Sequence, residues 1–340
     1  SGILRVKNWG TEDLKPLEGL QAVESPPKSL LMRLSLYLIL GVNAMALLPD
    51  AGVQAADCPP RLTVVFAHLR SRLAPPRFLR ELRPTDPEWQ RIIVRIPAGE
   101  PGHSRSPDFA TYSGNALEGL RREFDPWFRT GGIESFERML DRQWDYAAGR
   151  TLGQESYNGH FRSNYSTVFY GRRRLGATGF PLEASDFRNS AHYSEMYARV
   201  LAGRLTTPGY EERIAIRGIA LEDGPTIRLS GGELLVDYPH ASILRRYIRR
   251  MEILMTEIRA TTSNEQLFAL LAEYYQLGIA AHLYDRVNSS LYMPQINYIL
   301  MSRGLRGISH RDLDFLALTR STEEFIPLFV RDIHAAQALD

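Results

Sequence analysis

Two apolar stretches separated by a short polar turn constrain this chain more than any other feature in it. Leu267, Leu270, Leu271, Tyr274, Leu277, Gly278 and Ala281 recur at the three- and four-residue steps of a helix buried on one side. A second run carries Leu291, Ile296, Ile299 and Leu300 and closes at Gly304, a C-capping residue type. The spacing predicts helices over 264–284 and 289–303 that meet at a corner. Pro294 falls near the first turn of the second helix, where a missing N–H costs little. Asn288 is the expected N-cap, and the amides after it then have no helical acceptor. Such amides, with the helix dipole behind them, favour phosphate. Arg286, just before the cap, would add charge-assisted hydrogen bonds to it.

His282 and Asp285 are three residues apart and share a face if the first helix reaches that far. An imidazole titrating near neutrality can take a proton from an attacking hydroxyl. A carboxylate at Asp285 can hold a magnesium ion that neutralises a leaving diphosphate. The same residues also read as an ordinary helix corner with an asparagine cap, a paired acid and base and a satisfied histidine.

The turn resembles the signature of the Fic/Doc (Fido) superfamily, His-Pro-Phe-(Asp/Glu)-x-Gly-Asn-Gly-Arg. His282 matches its histidine, Tyr284 its aromatic residue, Asp285 its acid and Asn288 its asparagine. Leu283 stands for the proline, Val287 and Ser289 for the two glycines, and Ser290 for the arginine. Residues 131–137 and 321–325 are similar to AvrB-like effectors, a divergent branch of the same superfamily. The resemblance implies His282 as base and Asp285 as magnesium ligand. Arg286, Asn288, Ser289 and Ser290 then cradle the phosphates of a nucleotide donor, ATP or a nucleotide sugar. Without the glycines a backbone cannot approach phosphate as closely. That loss, and the missing arginine, fit an alternative: a catalytically degenerate Fido-like module that binds a peptide or protein.

Two short β-type runs, 214–219 and 226–229, flank a turn at 222–225 and read as a hairpin. Fido proteins carry such a flap, and the resemblance implies a protein target presented to hairpin 214–229 by strand addition. A broad apolar face follows from Ile243 to Ile258, opposite Arg245, Arg246, Arg249 and Arg250, and reads as core plus a solvated basic face.

Composition excludes several classes. Forty-one basic against 39 acidic residues leave a net charge of +2, which carries no global nucleic-acid signal. The single cysteine, Cys58, rules out an internal disulfide and cysteine-rich zinc modules. No phosphate-binding Gly-rich loop ending in Lys-Ser/Thr, no His-Glu-x-x-His and no Gly-x-Ser-x-Gly elbow occurs. The remaining histidines show no metal-ligand spacing.

Residues 1–58 read as a leader. Within it, 32–55 has a basic start, an apolar centre and small residues before Ala55, the pattern of a signal peptide. Its apolar run is short for a membrane span, so export is the first expectation and a membrane anchor the second, with membrane contact only if the leader stays uncleaved. A periplasm holds little nucleotide donor, so an exported transferase would act as an effector or toxin delivered to another cell.

From 59 to 103 a small α/β segment is expected, with strands at 62–66 and 91–96 and a boundary loop at Pro97, Gly99, Pro101 and Gly102. From 104 to 340 helices dominate: 114–128, 132–149, 185–204, 239–260, 264–284, 289–303, 310–319 and 321–337. The fold expected is therefore mainly α, a Fido-like helical bundle with a small β-hairpin flap behind that small α/β segment.

Overall fold

The computed structural model describes residues 75–93, 107–132, 134–149, 180–182, 191–284 and 288–338. All belong to one compact unit, 68–340. The leader 1–58 and the strand expected at 62–66 lie outside the described residues. No helix among the described residues is long and apolar enough to cross a membrane.

The described chain is mainly helical with a small antiparallel sheet. Short helices α1 (Arg77–Glu81) and α2 (Pro87–Ile93) come first, then α3 (Pro107–Gly119), α4 (Asp125–Arg129) and α5 (Phe136–Trp144). Wider helical turns at Leu120–Phe124 and Asp145–Gly149 continue α3 into α4 and extend α5. After β1 (Phe180–Pro181) come α6 (Ala191–Thr206), β2 (Glu212–Arg213), β3 (Thr226–Ser230) and β4 (Glu233–Asp237). The chain ends in α7 (Leu244–Ala260), α8 (Asn264–Ala281), α9 (Ser289–Ser302), α10 (Leu313–Thr319) and α11 (Thr322–Gln337).

Residues 91–93 are helical, not the start of a strand. The run of β-branched residues there suggests a strand, but Pro87 opens a helix without losing a bond, and Trp89, Ile92 and Ile93 bury at helical steps. α1 and α2 pack on α9, and Trp89 Nε1 donates to the Ser113 carbonyl at 3.1 Å.

α8 and α9 form the centre. Every residue from Leu271 to Ala281 and from Leu291 to Leu300 is buried. Burial is therefore on all sides and not on one, because α7, α9, α10 and α11 all surround α8. Gly278 allows the two central helices to meet: a Cβ there would lie 2.6 Å from the Tyr292 ring. Pro294 sits in the second turn of α9 and not the first, which removes one interior hydrogen bond.

Polar groups inside this core are paired, as burial demands. Tyr274 donates to Gln295, whose Nε2 donates to Gln143 at 2.6 Å. Tyr298 donates to Asp125 at 2.6 Å, and Arg129 grips the same carboxylate at 2.7 and 2.8 Å. Burial first, then the Asp125 bond, pushes the Tyr298 hydroxyl pKa upward. Glu273, almost fully buried, takes Arg250 at 2.6 Å and Arg217 at 3.4 Å. Much of the basic face of α7 is likewise paired, Arg246 with Asp223 at 2.5 Å and Arg250 with Glu273.

The sheet runs β1-β4-β3-β2, antiparallel throughout. Its tight hairpin is β3–β4, turning at Gly231 and Gly232, both at positive φ. The hairpin expected over 214–229 is only marginally formed: β2 covers 212–213, and one further bond joins Ile214 to the Pro225 carbonyl at 3.0 Å. Residues 215–217 are claimed elsewhere, because Thr322 donates to the Ala215 carbonyl at 3.0 Å and Arg217 N–H donates to Thr322 Oγ1 at 2.9 Å.

The stretches 131–137 and 321–325 have local physical roles. Gly131 and Gly132 take positive φ ahead of α5, and Phe136 is buried at its start. Ser321 and Glu324 form a reciprocal capping box that opens α11.

Candidate functional site

α8 stops where the sequence predicts a corner, at Ala281, three residues earlier than the apolar pattern suggests. His282 is its C-cap and takes the left-handed conformation, φ 43° and ψ 58°. Its amide closes the helix on Gly278 and Ile279 carbonyls, both at 3.2 Å. Left-handed backbone strains any residue with a Cβ, and glycine is the usual occupant of such a position. The imidazole is half-buried and stacks on Tyr238, with ring centroids 4.0 Å apart and planes at 28°. Tyr238 directly follows β4, so the hairpin and the imidazole share one corner of the molecule. Nothing in the sequence pattern marked Tyr238 as the partner of His282, since 44 residues separate them.

The residues after His282 turn inward. Leu283 and Tyr284 are buried. The Tyr284 ring stacks on Trp144 at 5.2 Å, and its hydroxyl donates to Asp141 at 3.0 Å. Tyr284 is thus an anchor for α5. Asp285 and Arg286, the expected magnesium ligand and phosphate clamp, lie outside the described residues with Val287. Among the described residues, no group of three or more His, Cys, Asp or Glu side chains is arranged to hold a metal ion.

Asn288 does not cap α9 through its side chain. It is buried, helical in backbone, and bridges back to Tyr284: Oδ1 accepts the Tyr284 N–H at 3.0 Å and Nδ2 donates to the Tyr284 carbonyl at 2.6 Å. The side chain that suits a cap also suits a local bond to main chain, and here the backward bond wins. Ser290 Oγ donates to the Ile93 carbonyl at 2.6 Å and ties α9 to the end of α2. Two of the four expected cradle side chains are therefore occupied by the protein itself. Ser289 is half-buried at the first position of α9.

What remains for an anion is backbone. Leu291 and Tyr292 both donate to the Asn288 carbonyl, at 3.0 and 3.2 Å. The amides of Ser289 and Ser290, at the start of α9, have no acceptor within the helix. Two amides at the positive end of a fourteen-residue helix fit one phosphate oxygen or two. The described side chains fit it less well. A cavity lies at the opposite end of α9, beside a loop from Arg303 to Arg311 in which arginine and glycine recur densely.

The fold and this corner must be read on their own geometry: no protein-family model matches the chain, and no curated protein matches it.

Proposed function

We propose that this chain is a protein-modifying transferase built on a Fido-like corner. It would move a phosphate-linked group, nucleotidyl or glycosyl, from a nucleotide donor to a protein hydroxyl. The observation that supports this best is His282: a half-buried imidazole held in a left-handed backbone where α8 stops and a second helix soon begins.

In the proposed step the imidazole accepts the proton of the attacking hydroxyl. The hydroxyl oxygen forms its new bond to the donor phosphorus, or to the sugar carbon of a nucleotide sugar. The bond to the leaving diphosphate breaks, and the electron pair leaves with it. The Ser289 and Ser290 amides bind a donor phosphate oxygen, and Tyr238 fixes the plane of the imidazole. Arg286 would add a clamp, and a magnesium ion at Asp285, when bound, would neutralise the leaving diphosphate. Residues 32–55 fit export of such an enzyme as an effector or toxin, reaching a donor only inside another cell.

Intact-mass analysis of co-expressed candidate targets tests this, because the added mass identifies the group transferred. His282→Ala should abolish labelling, and undiminished labelling by that variant would discard the mechanism. A second reading has its own support in Asn288 and Ser290, whose side chains are committed to main chain and not to a ligand. On it the domain is a degenerate Fido-like module that captures a peptide without chemistry. ATP, UTP and nucleotide sugars, each with magnesium, should raise the melting temperature on the first reading and leave it unchanged on the second.

A further inference from the structure

At the far end of α9 the described residues line a half-open cavity of about 650 Å3, within the size range of small-molecule pockets. Its walls come from α2 and the turn before it, from the end of α9 with the loop that follows, and from the last turns of α11. Leu82, Ile92, Met301, Leu305 and Ile308 give it an apolar lining. Arg91, Arg306 and Arg311 line it together with Glu88 and Asp332, and Asp332 is paired with Arg331 at 3.6 Å.

Two other arginines in this fold show the alternative use, as internal braces on main chain. Arg303 donates to the Ile258 and Thr261 carbonyls at 3.0 and 2.6 Å, and Arg121 to the Leu79 and Leu82 carbonyls at 2.7 and 2.6 Å. Arg91 and Arg311 are exposed at the cavity, and neither guanidinium has an ion-pair partner among the described residues. Their backbones are tied together, because the ring of His310 hydrogen-bonds through Nε2 to the Ile92 carbonyl. That one bond joins the residue after Arg91 to the residue before Arg311. Arg311 itself is held at φ 41°, a conformation that a side chain adopts only under strain.

We propose that this cavity binds a small organic carboxylate, with its apolar body against the aliphatic wall and its carboxylate between Arg91 and Arg311. The planar fork of arginine matches the two oxygens of a carboxylate. The aliphatic wall beside the two guanidiniums suits an organic anion better than inorganic phosphate. The site lies outside the corner at His282 and does not depend on its chemistry.

Calorimetric titration of the full chain with decanoate at submicellar concentration tests it, alongside decanol, decylammonium and inorganic phosphate. Decanoate should bind, decanol about tenfold or more weakly, and decylammonium and phosphate not measurably. Arg91→Gln and Arg311→Asn should each weaken decanoate by about tenfold without changing the melting temperature downward, asparagine being tolerant of the left-handed backbone. Ala336→Trp, at a half-buried lining position near the end of α11, should abolish binding by filling the cavity. His282→Ala should bind decanoate as the parent does. Equal affinity for decanol or decylammonium, competition by phosphate at similar concentration, or unchanged binding in both arginine variants would overturn the proposal.

Discussion

The two ends of α9 solve the same problem in opposite ways. At each, the chain must change direction beside a buried helix, and at each a non-glycine residue takes a left-handed backbone, His282 before α9 and Arg311 after it. Every other positive φ among the described residues belongs to glycine. At the first end, polar side chains are turned inward to hold the turn: Asn288 on Tyr284, Ser290 on Ile93. At the second, the turn is made with a glycine, Gly304 at φ 74°, whose successor Leu305 donates to the Leu300 carbonyl at 3.0 Å. The fastening is there done by Asn297, which bonds both main-chain groups of Ile308 from inside the helix. Arg303 there braces the Ile258 and Thr261 carbonyls, whereas Arg311 has no ion-pair partner among the described residues. At the first end the bonding side chains come from the turn itself, and at the second they come from inside α9 and its last turn, which leaves Arg311 on the loop outside them.

Breaking the inward bonds should hurt the first end most. Asn288→Ala leaves the buried N–H and carbonyl of Tyr284 without partners and should destabilise the protein by about 2–4 kcal/mol. Urea denaturation measures it. A loss near zero would mean water satisfies both groups and would erase the contrast between the two ends. Gly278→Ala should cost roughly 1–3 kcal/mol, since its Cβ would press on the Tyr292 ring and force α8 from α9. Ser290→Ala removes a single partly buried bond and should cost about 1 kcal/mol by the same assay.

The contrast was only partly legible in the sequence. The apolar steps announce two helices and the corner between them, because periodicity survives whatever surrounds a helix. Burial on every side did not show, because Glu273, Gln276, Gln295 and Asn297 look like an outer face. Their partners are remote: Arg250, Thr322, Gln143 and Ile308. Asn288 was recognisable as a residue that bonds main chain, yet residue type alone does not say whether it reaches forward to a helix or back to Tyr284. The hairpin read across 222–225 forms only over β2 and the start of β3, while the longer pairing turns at Gly231 and Gly232, which the proline and acids of 222–225 overshadowed. The arginines of the cavity come from α2 and the 303–311 loop, far apart in sequence, and only folding brings them together.

The smallest effect discriminates best between the two left-handed residues. Replacing either by glycine relieves a backbone strain of about 1 kcal/mol, part of which returns as extra freedom of the unfolded chain. For Arg311→Gly little else is lost, since its guanidinium has no ion-pair partner among the described residues, so a gain of roughly 0.5 kcal/mol is expected. For His282→Gly the stacking on Tyr238 disappears as well, a contact of about 0.5–1 kcal/mol, and the gain should vanish or become a small loss. Paired urea titrations of the two variants resolve the difference. Equal gains would mean that the stacking contributes nothing to stability; a loss at Arg311→Gly would mean that its side chain holds the loop together instead of standing open to a ligand.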